Sequence, residues 1–305
     1  DMYSPQVYET ARDTLDEMIR DGSFIQDSAD CYYIYALTMG GRTQTGLAAC
    51  ASIDDYTNGV ILRHEKTLDA KEQDRIRHID TCSAQTGPIF LTHRPDDALR
   101  RITERIKSGD SLYDFTSPDG VRHQVWKIDD PDDTERISRI YAGISHLYIA
   151  DGHHRADSAV KVGLSRRAAD PDFSGTEEYN FFLCVLFPSD ELKIYSYDRV
   201  VTDKNGYTFA SFLDKIKDGF DITLVGNRPY RPADKGEFGI YSDSTWYRAR
   251  AHSALRSDDP VSGLDVSLLQ DHILAPILGI RDPKTDPRIR FVGEIKGFEA
   301  LEKMA

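Results

Sequence analysis

The sequence is poor in everything that would tie it to a membrane, a disulfide scaffold or a nucleic acid. No apolar run approaches the roughly 20 residues that a bilayer-spanning helix needs. The opening stretch DMYSPQVYETARDTLDEM also lacks the apolar centre of a secretory signal. The expected compartment is the cytoplasm. The chain starts at Asp1 rather than an initiator Met, which leads us to expect residues ahead of it. Only four cysteines occur in 305 residues, Cys31, Cys50, Cys82 and Cys184, far apart and set mostly among apolar neighbours. That spacing offers neither a CxxC metal knuckle nor a disulfide framework, and predicts buried, reduced thiols. Positive charge is scarce as well. Against 51 acidic residues stand 38 Lys and Arg, a formal net charge of −13. A chain that grips a duplex needs a basic face to displace counterions, so nucleic acid is not expected as a main partner.

What is present is a mixture of strand and helix signals. Ser4 followed by Pro5 is a helix start, and Val7, Ala11, Leu15 and Ile19 continue it as an amphipathic helix to about Gly22. CYYIYALTM, then GGR, then TQTGLAACASI reads as a β-hairpin. GVILRHEKT and PIFLTHR read as strands, with a helix from Asp69 to Gln85 between them. Further helices are predicted over 96–107 and 132–144, flanking a polar hairpin at SPDG. His146 to Ala150 is a strand, the polar residues after it a turn, and Ala156 to Arg167 a helix. NFFLCVLFPS and LKIYSYDRVVT follow as strands, and a helix near Val266 to Leu278 closes a Tyr- and Arg-rich last third. The class is α/β (α+β): a mixed sheet with flanking helices, because hairpins and helices alternate irregularly. We place a catalytic region at 1–202 and an accessory α/β region at 203–305.

Two charged clusters carry the chemistry. YIADGHHRADSA at 148–159 follows an apolar stretch with Asp151, Gly152, His153, His154 and Arg155. A strand running through a glycine turn into a helix aims the first helical N–H groups at one point, which the helix dipole makes attractive to anions. Arg155 adds a planar fork suited to phosphate oxygens. Asp151 would repel a phosphate unless it holds a magnesium ion, orients a histidine or takes a proton. The plain alternative is that Asp151 caps the helix, Arg155 makes a surface ion pair and the histidines are solvated. LRHEKT at 62–67 repeats the pattern with Arg63, His64, Glu65, Lys66 and Thr67, and Glu65 is suited to act as general base. A solvated helix start explains that run equally well. GGRTQTG at 40–46 offers Arg42 and Thr43 to an anion, or is a simple hairpin turn.

Several chemistries are missing. There is no GxxxxGK[ST] loop, no GxGxxG after a strand, no GxSxG elbow and no HExxH pair. Adjacent histidines point apart, so His153, His154 and His64 make a poor zinc site.

ADGHHR resembles the DGHxR-type signature of the ParB/sulfiredoxin-like superfamily, in particular its free L-serine kinases. Together with VILRHEKT, GGRTQTG, NFFLCVLFP and ILAPILGI it is similar to a broad prokaryotic family, long uncharacterised, that includes pyrophosphate-dependent serine kinases. The similarity runs from about Tyr32 to about Val292. It implies a ParB/sulfiredoxin-like catalytic core that transfers a phosphoryl group from pyrophosphate, or in related kinases from ADP or ATP, to free L-serine. The product is O-phosphoserine, an intermediate of serine and cysteine metabolism. It further implies Glu65 as base, Asp151 as the essential aspartate and magnesium ligand, and Gly152, His153, His154 and Arg155 as a cradle for the donor phosphates. Arg42, Thr43, Arg63, His64, Lys66 and Thr67 are the further phosphate and substrate ligands expected. The same family implies a longer N-terminal segment. Two other readings stand beside it: a non-catalytic sensor of a phosphorylated metabolite, and a DNA partition protein, which the acidity of the chain disfavours.

Overall fold

A computed structural model describes residues 3–65 and 69–305. The chain divides into two compact units, Asp1–Lys193 and Ile194–Ala305. The boundary thus falls before the YSYDRVVT strand, where the sequence reading set it at 202/203.

The first unit runs α1 (Pro5–Arg20), β1 (Tyr32–Met39), β2 (Arg42–Ser52), α2 (Ile53–Thr57), β3 (Ile61–Leu62), α3 (Asp69–Cys82) and β4 (Ile89–His93). It continues through α4 (Asp97–Lys107), β5 (Tyr113–Thr116), β6 (Arg122–Ile128), α5 (Pro131–Ala142), β7 (Leu147–Asp151), α6 (His153–Ala169) and β8 (Phe181–Pro188). All eight strands form one sheet in the order β3-β7-β4-β8-β2-β1-β6-β5. The sheet is mixed, as the alternation of hairpins and helices predicts. β3 lies parallel to β7 and β4 parallel to β8, while the other neighbours run antiparallel.

Local sequence explains most of the boundaries. Asp96 and Asp130 cap α4 and α5 by accepting from Leu99 N and Asp133 N, which satisfies orphan donors of each first turn. In α1 the expected apolar stripe is not the buried one: Val7 and Ile19 are exposed, and the helix is anchored by buried Tyr8, whose hydroxyl donates to Asp74 at 2.8 Å. β3 is only two residues long, because the strand reading of GVILRHEKT holds as far as Leu62 and the charged residues then leave the sheet.

α6 matters most for the site. Ala156, Ala159 and Val160 bury against Ile89, Leu91, Ile149, Phe182 and Cys184 of the sheet, removing a continuous apolar surface from water. Its depth is set by Gly163, where a Cβ would sit 2.3 Å from the Tyr179 carbonyl oxygen. A second cluster joins Ile34, Leu47, Trp126 and Ile128 of β1, β2 and β6 to Leu99, Ile102 and Ile137 of α4 and α5.

The second unit contains β9 (Tyr197–Val201), α7 (Phe209–Ile216), β10 (Phe220–Gly226), β11 (Glu237–Ser242), β12 (Thr245–Ala251), α8 (Asp265–Leu269), β13 (Ile289–Gly293) and α9 (Gly297–Met304). β10-β12-β11 form one antiparallel sheet and β13-β9 a second. α8 passes into a π-helical turn at Gln270–Leu274 within the span predicted as one helix. Of the cysteines, Cys82 and Cys184 are buried and all four are free thiols, but Cys50 is exposed and Cys31 half-buried, because β2 leaves Cys50 at the margin of the packed sheet. Among the described residues no helix is long and apolar enough to cross a membrane.

Candidate active site

The two charged clusters leave neighbouring parallel strands in the same direction. β3 pairs with β7 in the register Ile61 with Leu147 and Leu62 with Tyr148. Arg63, His64 and Glu65 therefore emerge from the carboxyl end of β3 beside the residues that emerge from the carboxyl end of β7. Ligand sites of open α/β sheets form in this position, where the loops diverge and leave a crevice.

Gly152 makes the junction after β7. It adopts φ +92°, a left-handed conformation that costs a side-chain-bearing residue dearly, and serves as N-cap of α6. The helix begins at once, so His153, His154 and Arg155 occupy its first turn rather than a preceding loop. Gly152 has no side chain with which to cap that turn. Its N–H groups and the positive end of the dipole of a 17-residue helix thus point out of the sheet beside Glu65. Arg155 folds back across Gly152: its Nη2 donates to Asp151 Oδ2 at 2.7 Å, and a Cβ on residue 152 would meet that Nη2 at 2.8 Å. The ion pair foreseen by the plain alternative is therefore real. The cap it assigned to Asp151 is not, because Gly152 holds that position and the Asp151 side chain stays largely exposed.

His153 is the centre of the arrangement. It is 5% exposed, its Nδ1 lies 3.7 Å from Glu65 Oε2, and its ring meets the edge of the His64 ring at 4.5 Å between centroids. Burial, reinforced by His64, pushes its pKa below the usual histidine value, so the ring is neutral near pH 7. Its Nε2 is buried with no hydrogen-bond partner among the described residues, and so is Arg155 Nε. An unmade bond at a buried polar atom costs about 1–3 kcal/mol. Two of them within the first turn of one helix suit that turn to a ligand.

Beneath this surface lies a network that the sequence reading missed. Arg63 Nη1 donates to Tyr56 Oη at 3.0 Å and lies 3.5 Å from Asp157 Oδ1. Buried Asp157 and Glu72 share Lys161, which is 3.4 Å from Asp157 Oδ2 and also donates to Glu72 Oε1. The available signal was an Asp and a Lys four apart, one turn on from His153.

The remaining expectations separate cleanly. His154 is half-buried in the first turn of α6. Lys66 and Thr67 lie outside the described residues. Arg42 and Thr43 do not belong to the site. They sit at the start of β2, four strands from β3, which is on the order of 20 Å across the sheet. They also sit at its other end: β2 runs antiparallel to β8, β8 parallel to β4, and β4 antiparallel to β7. There Arg42 donates to the Glu191 carbonyl and Thr43 shares a 2.7 Å hydroxyl contact with Thr38, so the hairpin reading of GGRTQTG is the correct one. Asn180 accepts from Arg167 and donates to Glu177, and Arg199 lies over the Phe291 ring in the second unit.

A cavity of ≈430 Å³ lies further along α6, lined by Cys50, Gln85, Val162, Gly163, Arg166 and Tyr179 among others. It holds none of the expected site residues, whereas two unsatisfied buried nitrogens, His153 Nε2 and Arg155 Nε, are at the helix start. We therefore place the chemistry there.

Magnesium fits this donor set in one way only. Among the described residues no group of three or more His, Cys, Asp or Glu could cage a metal ion. Among the described residues around the helix start, Arg63, Arg155 and Lys161 face Glu65, Glu72, Asp151 and Asp157, three cations against four carboxylates. A polyphosphate arriving here needs further positive charge, and exposed Asp151 can share a divalent ion with it, as magnesium sites built on one carboxylate and substrate phosphates do.

No curated protein and no solved structure matches the chain. One family model does, over residues 1–267, which takes in the whole first unit and most of the second. The chain belongs to that family, described as "Protein of unknown function (DUF1015)".

Proposed function

We propose that this chain is a magnesium-dependent free L-serine kinase, with pyrophosphate the favoured donor. The observation that carries the reading is the meeting of Glu65 and His153, from motifs far apart in sequence, 3.7 Å apart at the N-terminus of a long helix that begins on a glycine. The resemblance of ADGHHR and RHEKT to the ParB/sulfiredoxin-like serine kinases adds the reaction class.

Phosphoryl transfer needs positioning and charge stabilisation more than covalent chemistry, and no Walker loop is required for either. The first-turn N–H groups of α6 and the Arg155 guanidinium hold the oxygens of the transferred phosphoryl group. Neutral His153, packed between His64 and Glu65, keeps the Glu65 carboxylate turned toward the substrate hydroxyl. Glu65 accepts the serine Oγ proton as that oxygen bonds to the terminal phosphorus. The bridging P–O bond breaks, and orthophosphate leaves with its electron pair when pyrophosphate is the donor. Asp151 would hold magnesium, which would supply positive charge to the phosphates beyond that of Arg63, Arg155 and Lys161.

Phosphorus NMR of the purified protein with L-serine, magnesium and either pyrophosphate, ADP or ATP tests the reading. A phosphoserine resonance with pyrophosphate supports reaction and donor together, and one with only a nucleotide changes the donor. A ligand that raises the melting temperature while no product forms would replace the kinase by a phosphometabolite sensor.

A further inference from the structure

We propose that Asp157 is a positioning residue for this reaction: by holding Arg63 it fixes the turn that presents His64 and Glu65 to His153. Asp157 lies one helical turn beyond His153 on α6, so the two share a face. It is 6% exposed, and a carboxylate at that depth is tolerated only when paired and hydrogen-bonded. Its Oδ1 accepts the Tyr56 hydroxyl at 3.0 Å and faces Arg63 Nη1 at 3.5 Å, and the same Arg63 atom donates to the Tyr56 oxygen at 3.0 Å. The triangle is closed by the guanidinium lying over the Tyr56 ring, 5.6 Å from its centroid. Its three corners come from α6, from α2 and from the turn after β3.

The turn needs such an anchor. β3 contributes only Ile61 and Leu62 to the edge of the sheet, so the ladder ends immediately before Arg63. Burial of Tyr56, helped by Asp157, pushes its phenol pKa up, so the hydroxyl stays protonated and keeps donating to the carboxylate. Lys161, itself held by Glu72, lies 3.4 Å from Asp157 Oδ2, which leaves Oδ1 facing Tyr56 and Arg63. A shift of about 1 Å in the base is enough to lose up to about 100-fold in rate, so a side chain that touches neither serine nor phosphate still governs turnover.

The rate test rests on the serine-kinase reading, whereas an exchange test does not. Tyr56→Phe and Asp157→Asn are compared with the wild type for kcat, for KM and for amide hydrogen exchange of residues 62–65. Asp133→Asn is the control, since Asp133 is also buried and paired with an arginine, but in α5 beside the second core cluster. Asp157→Asn is expected to lower kcat at least about ten-fold with KM changed by less than about three-fold, and Tyr56→Phe to act in the same direction more weakly. Exchange at residues 62–65 is expected to quicken in both and to stay at the wild-type rate in Asp133→Asn. Should Asp157→Asn fail to fold, Tyr56→Phe decides alone. Unchanged exchange in the folded variants overturns the proposal, and so does quickened exchange with an undiminished kcat. A wild type that forms no phosphoserine overturns the kinase reading instead, and the exchange rates still decide whether Asp157 holds the turn.

Discussion

Two buried histidines sit on the eight-stranded sheet, and they teach opposite lessons. His93 at the end of β4 is 1% exposed, with Nδ1 2.8 Å from the Arg94 carbonyl and Nε2 3.2 Å from the Tyr141 hydroxyl. His153 at the opposite end of the sheet is buried almost as deeply, yet its Nε2 has no partner among the described residues. Depth does not distinguish them; completion of their hydrogen bonds does. The His93 end is finished structure, where Arg42 and the Thr45 N–H donate to Glu191 and Thr43 shares its hydroxyl bond with Thr38. The His153 end is unfinished, and such ends are where ligands complete the bonding.

The comparison breaks most visibly at Gly152. Gly152→Ala must force a left-handed backbone on a residue with a Cβ and push Arg155 off Asp151, so we expect turnover to fall by at least about 100-fold and stability by about 1–3 kcal/mol. Steady-state rates and thermal melts measure both. If the rate survives, the Arg155 cradle has no part in the reaction.

Crossed substitutions of the two histidines come next. His153→Gln is expected to slow turnover by about 10–100-fold while the melting temperature stays close to that of the wild type, because the native ring already leaves one nitrogen unpaired. His93→Gln removes two satisfied bonds and is expected to cost about 1–3 kcal/mol while changing the rate by less than about two-fold. The same pattern in both variants would erase the distinction between the two ends.

Acidification sharpens it further. Burial lowers the pKa of His93 below its ordinary 6.5, so the unfolded chain binds the extra proton first. Its contribution to stability is complete above 6.5 and is lost as the pH falls through the lower, folded-state value. Urea unfolding of the wild type at about pH 7.5 and about pH 5.5 should show that loss, and His93→Gln should show less of it. An equally steep loss in the variant would assign the titration elsewhere.

Smallest of all is the expected effect of Arg42→Ala. The guanidinium serves the Glu191 carbonyl at the far end of the sheet, so turnover should change by less than about two-fold. A larger drop would bring GGRTQTG back into the site.

Much of this was legible in the sequence because it depends on local pattern. The hairpin of β1 and β2, the capped helices after Asp96 and Asp130 and the strand-to-helix junction at Gly152 all follow from neighbouring residues. The pairing of Glu65 with His153 was suggested only by two similar clusters, since nothing local says that β3 and β7 are neighbours. Arg42 was misplaced for the same reason: a polar turn looks alike at either end of a sheet, and only strand order and direction tell the ends apart. Asp157 and Glu72 escaped notice because charged residues on helices are usually solvated, and their burial comes from the packing of α3 and α6. The YSYDRVVT strand was read with its predecessor, yet it pairs with β13, about ninety residues on, a partner that no short-range signal announces.

The most direct test is a phosphorus NMR time course of wild type and Glu65→Gln side by side, with L-serine, magnesium and pyrophosphate. The account predicts a growing phosphoserine resonance in the wild type, and in the folded variant a rate lower by about 10²–10⁴-fold. Phosphoserine formed equally fast by both would contradict it, because the meeting of Glu65 with His153 would then have no part in the reaction.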